Sequence, residues 1–300
     1  MDSAEQRRRV PVVVLVVTAV VAGLLLAVVV DVARSGGSGA WLARHHLTAP
    51  YIPAGKRVDI GGRSLYIDCR GAGSPTVILE AGSGSDSATW AAVHDELATT
   101  TRTCAYDRAG RGRSDPRPRH TLADAAVDLR ALLAAAGEAG PYIAVGHSLG
   151  GAYARVFAAA DRGDVAGLVL VDSFDADLEE TWIHPLLGAL REEYRGRLDG
   201  LRNHVSTVDS LDWPASEAQL RDATVDGLPI EVLLAPRADP RLDDATNAAI
   251  TAAWWFGYDS LSPGHVTRTT AWGAGHVIQG DRPDIVIQAV RRLVDSTRDR

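Results

Sequence analysis

From residue 57 onward, short and wholly apolar runs alternate with longer stretches of amphipathic period. Residues 76–79, 142–145 and 168–171 are almost entirely apolar, as strands buried on both faces of a parallel sheet must be. Residues 57–60 and 63–69, flanking Gly61-Gly62, predict a hairpin, and 103–106, 229–234 and 266–272 predict further strands. Helical periodicity falls at 88–98, 122–136, 151–160, 243–253 and 283–296. The second of these carries Leu122, Ala126, Leu129 and Leu133 on one stripe and stops at Gly137. Such alternation requires a mostly parallel, eight-stranded sheet with helices on both faces, an α/β architecture.

Two stretches depart from this rhythm. Between residues 173 and 228 the strand signal is missing, while Trp182, Trp213 and the acidic pairs Glu179-Glu180 and Glu192-Glu193 appear. The segment reads as an inserted helical cap, with Ser216-Glu217-Ala218-Gln219 as a capping box opening one of its helices. It separates core residues 57–172 from core residues 229–300. The second departure is the apolar run 10–30, which as a helix spans about 30 Å, the thickness of a bilayer's hydrocarbon core. Arg7-Arg8-Arg9 precede it, so residues 1–9 are expected in the cytoplasm and the catalytic part outside it, or secreted if the segment is cleaved as a signal peptide. Residues 31–56, with Ser35-Gly36-Gly37-Ser38-Gly39, read as a tether, and His45-His46 within it as solvated linker residues.

Composition narrows the partners. A net charge of −7, from 31 basic and 38 acidic residues, speaks against nucleic acid, which needs a basic face. Export would permit a disulfide between the two cysteines, Cys69 and Cys104; the residues alone leave open whether they bond or stay separate buried thiols.

The chemistry concentrates at Gly146-His147-Ser148-Leu149-Gly150-Gly151, lying between a strand and a helix. In that context Gly-x-Ser-x-Gly is a nucleophile elbow, whose glycines remove bulk from a turn that pushes the Ser148 hydroxyl clear of the sheet. A serine hydroxyl needs a base, and His276 in a Gly-rich loop after the last strand is the candidate. His265 falls at the opposite end of that strand, and His147 is locked beside Ser148.

At this point the sequence resembles the α/β-hydrolase superfamily across residues 57–296. Ala81-Gly82-Ser83-Gly84 resembles its oxyanion loop, with Ala81 in place of the usual His. Asp107-Arg108-Ala109-Gly110-Arg111-Gly112-Arg113-Ser114 resembles its Asp-x-x-Gly-x-Gly-x-Ser turn, and Gly275-His276 its histidine loop. The resemblance implies an α/β-hydrolase fold and a catalytic set of Ser148, His276 and an acid. Asp239, in a loop resembling the family's Gly-x-x-Asp, is favoured over Asp172, which also ends a strand. The backbone amides of Ser83 and Leu149 would form the oxyanion hole. The family's sheet order would also set the Cys69 strand beside the Cys104 strand and so favours a bond between them.

The implied activity is hydrolysis of a small ester, or an amide, through an acyl-enzyme, with no metal or organic cofactor. An acyltransferase, an aminopeptidase-like enzyme suggested by the cap's acidic pairs, and a non-catalytic binding protein are the alternatives. Glu80 reads as a buried structural acid, with an arginine as the fitting partner. Arg108, Arg111, Arg113, Arg117 and Arg119 read as a solvated basic loop, and Trp254-Trp255-Phe256 as helix core.

Overall fold

The structure is a computed structural model that describes residues 54–300, apart from 176–178 and 237–238. The expected membrane segment 10–30 and most of the tether lie outside these residues. Among the described residues no helix is long and apolar enough to cross a membrane.

Eight strands form one sheet in the order β1-β2-β4-β3-β5-β6-β7-β8. β1 (Lys56–Asp59), β2 (Ser64–Arg70) and β4 (Thr103–Asp107) pair antiparallel in sequence. β3 (Thr76–Glu80), β5 (Tyr142–His147), β6 (Val165–Val171), β7 (Ile230–Leu234) and β8 (Val266–Thr270) continue from β4 in parallel. The wholly apolar strands are needed because the sheet is covered twice. Ile78, Ala144, Leu168 and Val232 face one core, against α2 (Leu122–Ala136), α3 (Leu149–Ala160) and α6 (Asp244–Asp259). Their neighbours Val77, Ile143, Val169 and Leu233 face the other, against α1 (Ala91–Ala98) and α7 (Pro283–Arg298). The period of two along each strand thus divides its apolar residues between two helix layers.

α2 shows how local sequence sets an element. Thr121 accepts from the Asp124 amide while the Asp124 carboxylate accepts in return, and Gly137 closes the helix at φ 81°. Cys69 lies opposite Cys104 in the antiparallel β2–β4 register, and the two sulfurs are bonded. This pins the hairpin to the parallel sheet.

The cap region contributes α4 (Arg191–Val208) and α5 (Trp213–Asp222), preceded by shorter helical turns from Glu179 to Leu190. The expected capping box at 216–219 opens no helix: α5 starts three residues earlier, capped by Asp212 with Pro214 in its first turn. Ser216 and Gln219 instead accept from the Leu122 and Ala123 amides at 3.2 and 3.0 Å. Capping side chains of the right kind therefore serve the first turn of α2, which packs against α5. Arg155 of α3 reaches the same helix from below, donating to the Leu220 and Ala223 carbonyls and to Asp175.

The basic stretch after β4 is not the solvated loop its composition suggests. Arg108 is buried against Glu80, Arg111 reaches the Val208 carbonyl, Arg113 lies over the Tyr66 ring, and Arg117 pairs with Asp124 and Asp128. Arg113 and Arg119 remain exposed, the latter paired with Asp212. Abundant carboxylates on neighbouring elements draw these side chains inward, which a one-dimensional charge run cannot show.

Candidate active site

Three strand ends build the site. β5 ends at His147, and Ser148 follows in a left-handed conformation, φ 52° and ψ −125°. Non-glycine residues rarely adopt such a backbone, and it is held here by tight packing. A Cβ on Gly146 would lie 2.3 Å from the Gly150 carbonyl oxygen, and one on Gly150 would lie 2.4 Å from that of Glu80. Both glycines are therefore required by backbone crossing backbone. The Ser148 amide is held by the Val171 carbonyl at 3.0 Å, which locks the turn to the end of β6.

His276 reaches the turn from the loop after β8. Its Nε2 is 3.0 Å from Ser148 Oγ, and its Nδ1 is 2.7 Å from an Asp172 carboxylate oxygen. Asp172 follows β6, is buried, and also has φ positive at 40°. Its other oxygen accepts from the Ala235 amide at 3.1 Å, so both oxygens have set partners.

Asp239 is not the partner of His276. Its carboxylate accepts from Tyr194 of α4 at 2.5 Å and from the Arg241 backbone amide and Nε at 2.9 and 2.8 Å. Arg241 and Tyr194 together hold its carboxyl well below the usual carboxylate range. The expectation fails for a geometric reason. β6 lies directly beside β5, so Asp172 needs only a single-residue overhang, whereas Asp239 is five residues beyond β7 and is drawn to the cap.

His147 supports the histidine loop. Its Nε2 bonds the His276 carbonyl oxygen at 2.9 Å, and burial pushes its pKa down to about 4, so the ring is neutral at pH 7. It therefore donates from Nε2 and leaves Nδ1, which has no partner among the described residues, unprotonated.

Gly82 packs on the elbow: a Cβ there would lie 3.4 Å from Ser148 Cβ. Ser83 follows it, and Leu149 is the first residue of α3, where no intrahelical acceptor exists for its amide. Glu80 does have an arginine, Arg108, and a tyrosine, Tyr106, as hydrogen-bond donors.

A cavity of about 430 Å³ opens over Ser148 and His276, walled by Phe174, Leu201 of α4, Pro236 and Trp254. Ala235, Pro236 and Trp254 also wall an apolar chamber of about 260 Å³ completed by Trp255 and Trp272. Trp254 thus belongs to the core and to both cavities, while Phe256 is exposed and meets Trp182 edge-on. Among the described residues one cluster has metal-ligand spacing, Cys69, Cys104 and Glu138, but its sulfurs are bonded to each other and its carboxylate to Arg102.

A serine on a strained strand-to-helix turn, an imidazole within reach of its oxygen and a buried carboxylate behind the imidazole define an α/β protein of the nucleophile-elbow class. The alpha/beta hydrolase family model matches residues 77–289, and the chain belongs to that family. It is 36% identical over 123 residues to the uncharacterized protein YqjL of Bacillus subtilis (strain 168), a match covering 39% of this chain and 47% of that one. The chain spans less than half the length of the first curated relatives it matches. Among solved structures it is similar to Cfl2 from Burkholderia cenocepacia, at TM-score 0.58 and 21% identity over 80% of this chain and 95% of that one. It is also similar to a thermophilic esterase from Thermogutta terrifontis, at TM-score 0.52 and 21% identity over 81% and 98%. At that identity both likenesses concern the fold.

Proposed function

We propose that this protein is a serine hydrolase that cleaves carboxylic esters through an acyl-enzyme. The observation that carries this reading is the continuous relay Ser148–His276–Asp172, at 3.0 and 2.7 Å. As Ser148 Oγ attacks the ester carbonyl carbon, His276 Nε2 takes its proton, and Asp172 stabilises the imidazolium and fixes its tautomer. The oxyanion develops against the amides of Ser83 and Leu149. His276 then gives the proton to the departing alkoxide, which leaves as the alcohol. Water, deprotonated by the same imidazole, attacks the acyl carbon and releases the acid and Ser148. This chemistry calls for no metal or organic cofactor.

The surroundings favour an ester with an apolar portion, since indoles and aliphatic groups make up most of the lining of the chamber at Trp254, with Asn247, Thr251 and Thr270 among them. Amine recognition is poorly supported. Of the four cap carboxylates that suggested it, Glu180 pairs with Arg202, Glu192 with Arg195 and Glu193 with Arg241. Acyl transfer to an alcohol uses the same relay and differs only in which acceptor meets the acyl-enzyme. Anchoring through residues 10–30, with the catalytic domain outside the cytoplasm, fits the disulfide, which persists in oxidising compartments.

A fluorophosphonate probe should label wild-type protein and not Ser148→Ala, and p-nitrophenyl esters should be hydrolysed in the same pattern. Folded wild-type protein that neither labels nor turns over would overturn the reading.

A further inference from the structure

We infer that Arg108 and Asp209 are positioning residues that aim the Ser83 amide at the reacting centre, making the oxyanion loop answer to the end of a cap helix. The inference rests on the serine-hydrolase reading above and extends it to residues that touch no substrate.

The loop after β3 is held almost residue by residue from these two side chains. Arg108, buried at 5% exposure, donates to the Glu80 carboxylate and the Ala81 carbonyl, and to the Gly82 carbonyl at 2.8 Å. Asp209, at the C-terminal end of α4, accepts from Ser83 Oγ and from the Gly84 amide at 3.2 Å. Arg108 and Asp209 face each other at 3.4 Å, and Arg111 approaches the same carboxylate at 3.7 Å.

The consequence for Ser83 follows from the planarity of the peptide. The Gly82 carbonyl and the Ser83 N–H belong to one trans unit and point in opposite directions. An arginine that grips the carbonyl therefore turns the N–H away from itself. No acceptor among the described residues takes that N–H, and Gly82 already lies against Ser148. Asp209 adds the second constraint by fixing the Ser83 side chain and the next amide. Arg is required here because its planar fork serves several acceptors at fixed angles, which a lysine ammonium does not. Since Asp209 belongs to the cap, displacement of α4 would release half of the grip, and cap position and oxyanion stabilisation become one variable.

The test compares wild type, Ser83→Ala, Asp209→Asn, Asp209→Ala and Arg108→Lys on p-nitrophenyl butyrate. Each protein is also titrated with an alkyl trifluoromethyl ketone, which forms a hemiketal with Ser148 and places an oxyanion in the hole, and with the matching secondary trifluoromethyl alcohol, which is neutral, has no carbonyl to attack and does not. Asp209→Ala and Arg108→Lys should lower kcat by about 100-fold, the lower end for one lost oxyanion donor, with KM little changed. Ketone affinity should fall in parallel while affinity for the alcohol holds. Ser83→Ala and Asp209→Asn, which leave the Arg108 guanidinium and its bond to the Gly82 carbonyl in place, give smaller losses in the same direction and keep the test open if Arg108→Lys does not fold. Folded variants that retain wild-type kcat and ketone affinity overturn the inference, as do variants whose only change is a lower melting temperature. A wild type that neither hydrolyses the ester nor binds the ketone overturns the hydrolase reading itself, and the inference with it.

Discussion

Asp172→Asn separates the two candidate acids. The Asp172 oxygen that meets Ala235 accepts from a backbone amide at 3.1 Å, so an asparagine must place its carbonyl oxygen there; its NH2 group would set two donors face to face. The amide nitrogen is thereby aimed at His276 Nδ1, 2.7 Å from the second carboxylate oxygen. Nδ1 must then accept, the ring proton moves to Nε2, and Nε2 faces Ser148 Oγ with a hydrogen where a lone pair is needed. The same exchange in a Ser-His-Asp triad lowers kcat about 10⁴-fold. At 1.36 kcal/mol per decade that is about 5.4 kcal/mol of transition-state stabilisation. Asp239→Asn, which disturbs only the contacts with Tyr194 and Arg241, should leave kcat within about threefold because it touches no reacting atom. The assay is steady-state hydrolysis of p-nitrophenyl butyrate by both purified variants, with melting temperatures measured alongside. A collapse of kcat in Asp239→Asn with near-normal turnover in Asp172→Asn would refute the reasoning.

Two further outcomes follow from the scaffold. Replacing Cys69 and Cys104 together by serine opens a loop of sequence separation 35, which the chain-entropy relation values at about 4 kcal/mol. Thermal unfolding should drop by about 8–16 °C for a domain of this size, and an unchanged melting temperature would show that the bond contributes nothing to the folded state. The folded pKa of His147, about 4, lies below the usual 6.5. Between those values the unfolded chain binds the extra proton, so this residue makes stability fall as pH drops from about 6.5 toward 4. The span corresponds to roughly 3 kcal/mol. Urea unfolding at pH 7 and at pH 4.5 should show a larger acid loss for wild type than for His147→Gln, and equal losses would remove His147 as a source of acid sensitivity.

Much of the fold was legible because burial on both faces leaves a strong mark. A parallel strand covered twice must be apolar at consecutive positions, as Val77-Ile78-Leu79 and Leu168-Val169-Leu170-Val171 are. The elbow was legible for a steric reason: Gly146 and Gly150 stand where backbone meets backbone, and a glycine requirement of that kind shows directly in sequence. Contacts made across the fold left weaker marks. Ser216 and Gln219 have the chemistry of a cap, but the helix they cap begins nearly a hundred residues earlier. The arginines after β4 looked like a charged surface because their partners, Glu80, Asp128 and Asp209, come from three other elements.

The acid was the hardest residue to place, and the reason is topological. Asp172 and Asp239 both follow apolar parallel strands, and nothing local to either says which strand lies beside the nucleophile. The strand order decides it. β6 is hydrogen-bonded to β5 through the end of the strand, with His147 level with Val171, so the next residue on each, Ser148 and Asp172, emerges at one height. β7 is one strand further out, and its chain runs on for several residues before reaching Asp239. One local signal did exist. Arg241 stands two residues after Asp239, close enough to occupy its carboxylate, and a carboxylate already bonded to a guanidinium has little left to offer an imidazole. A sequence reading that weighed the neighbours of each candidate acid, and not only its place after a strand, would have ranked Asp172 first: it is followed by Ser173 and Phe174, and no cation lies near it in the chain to compete for its oxygens.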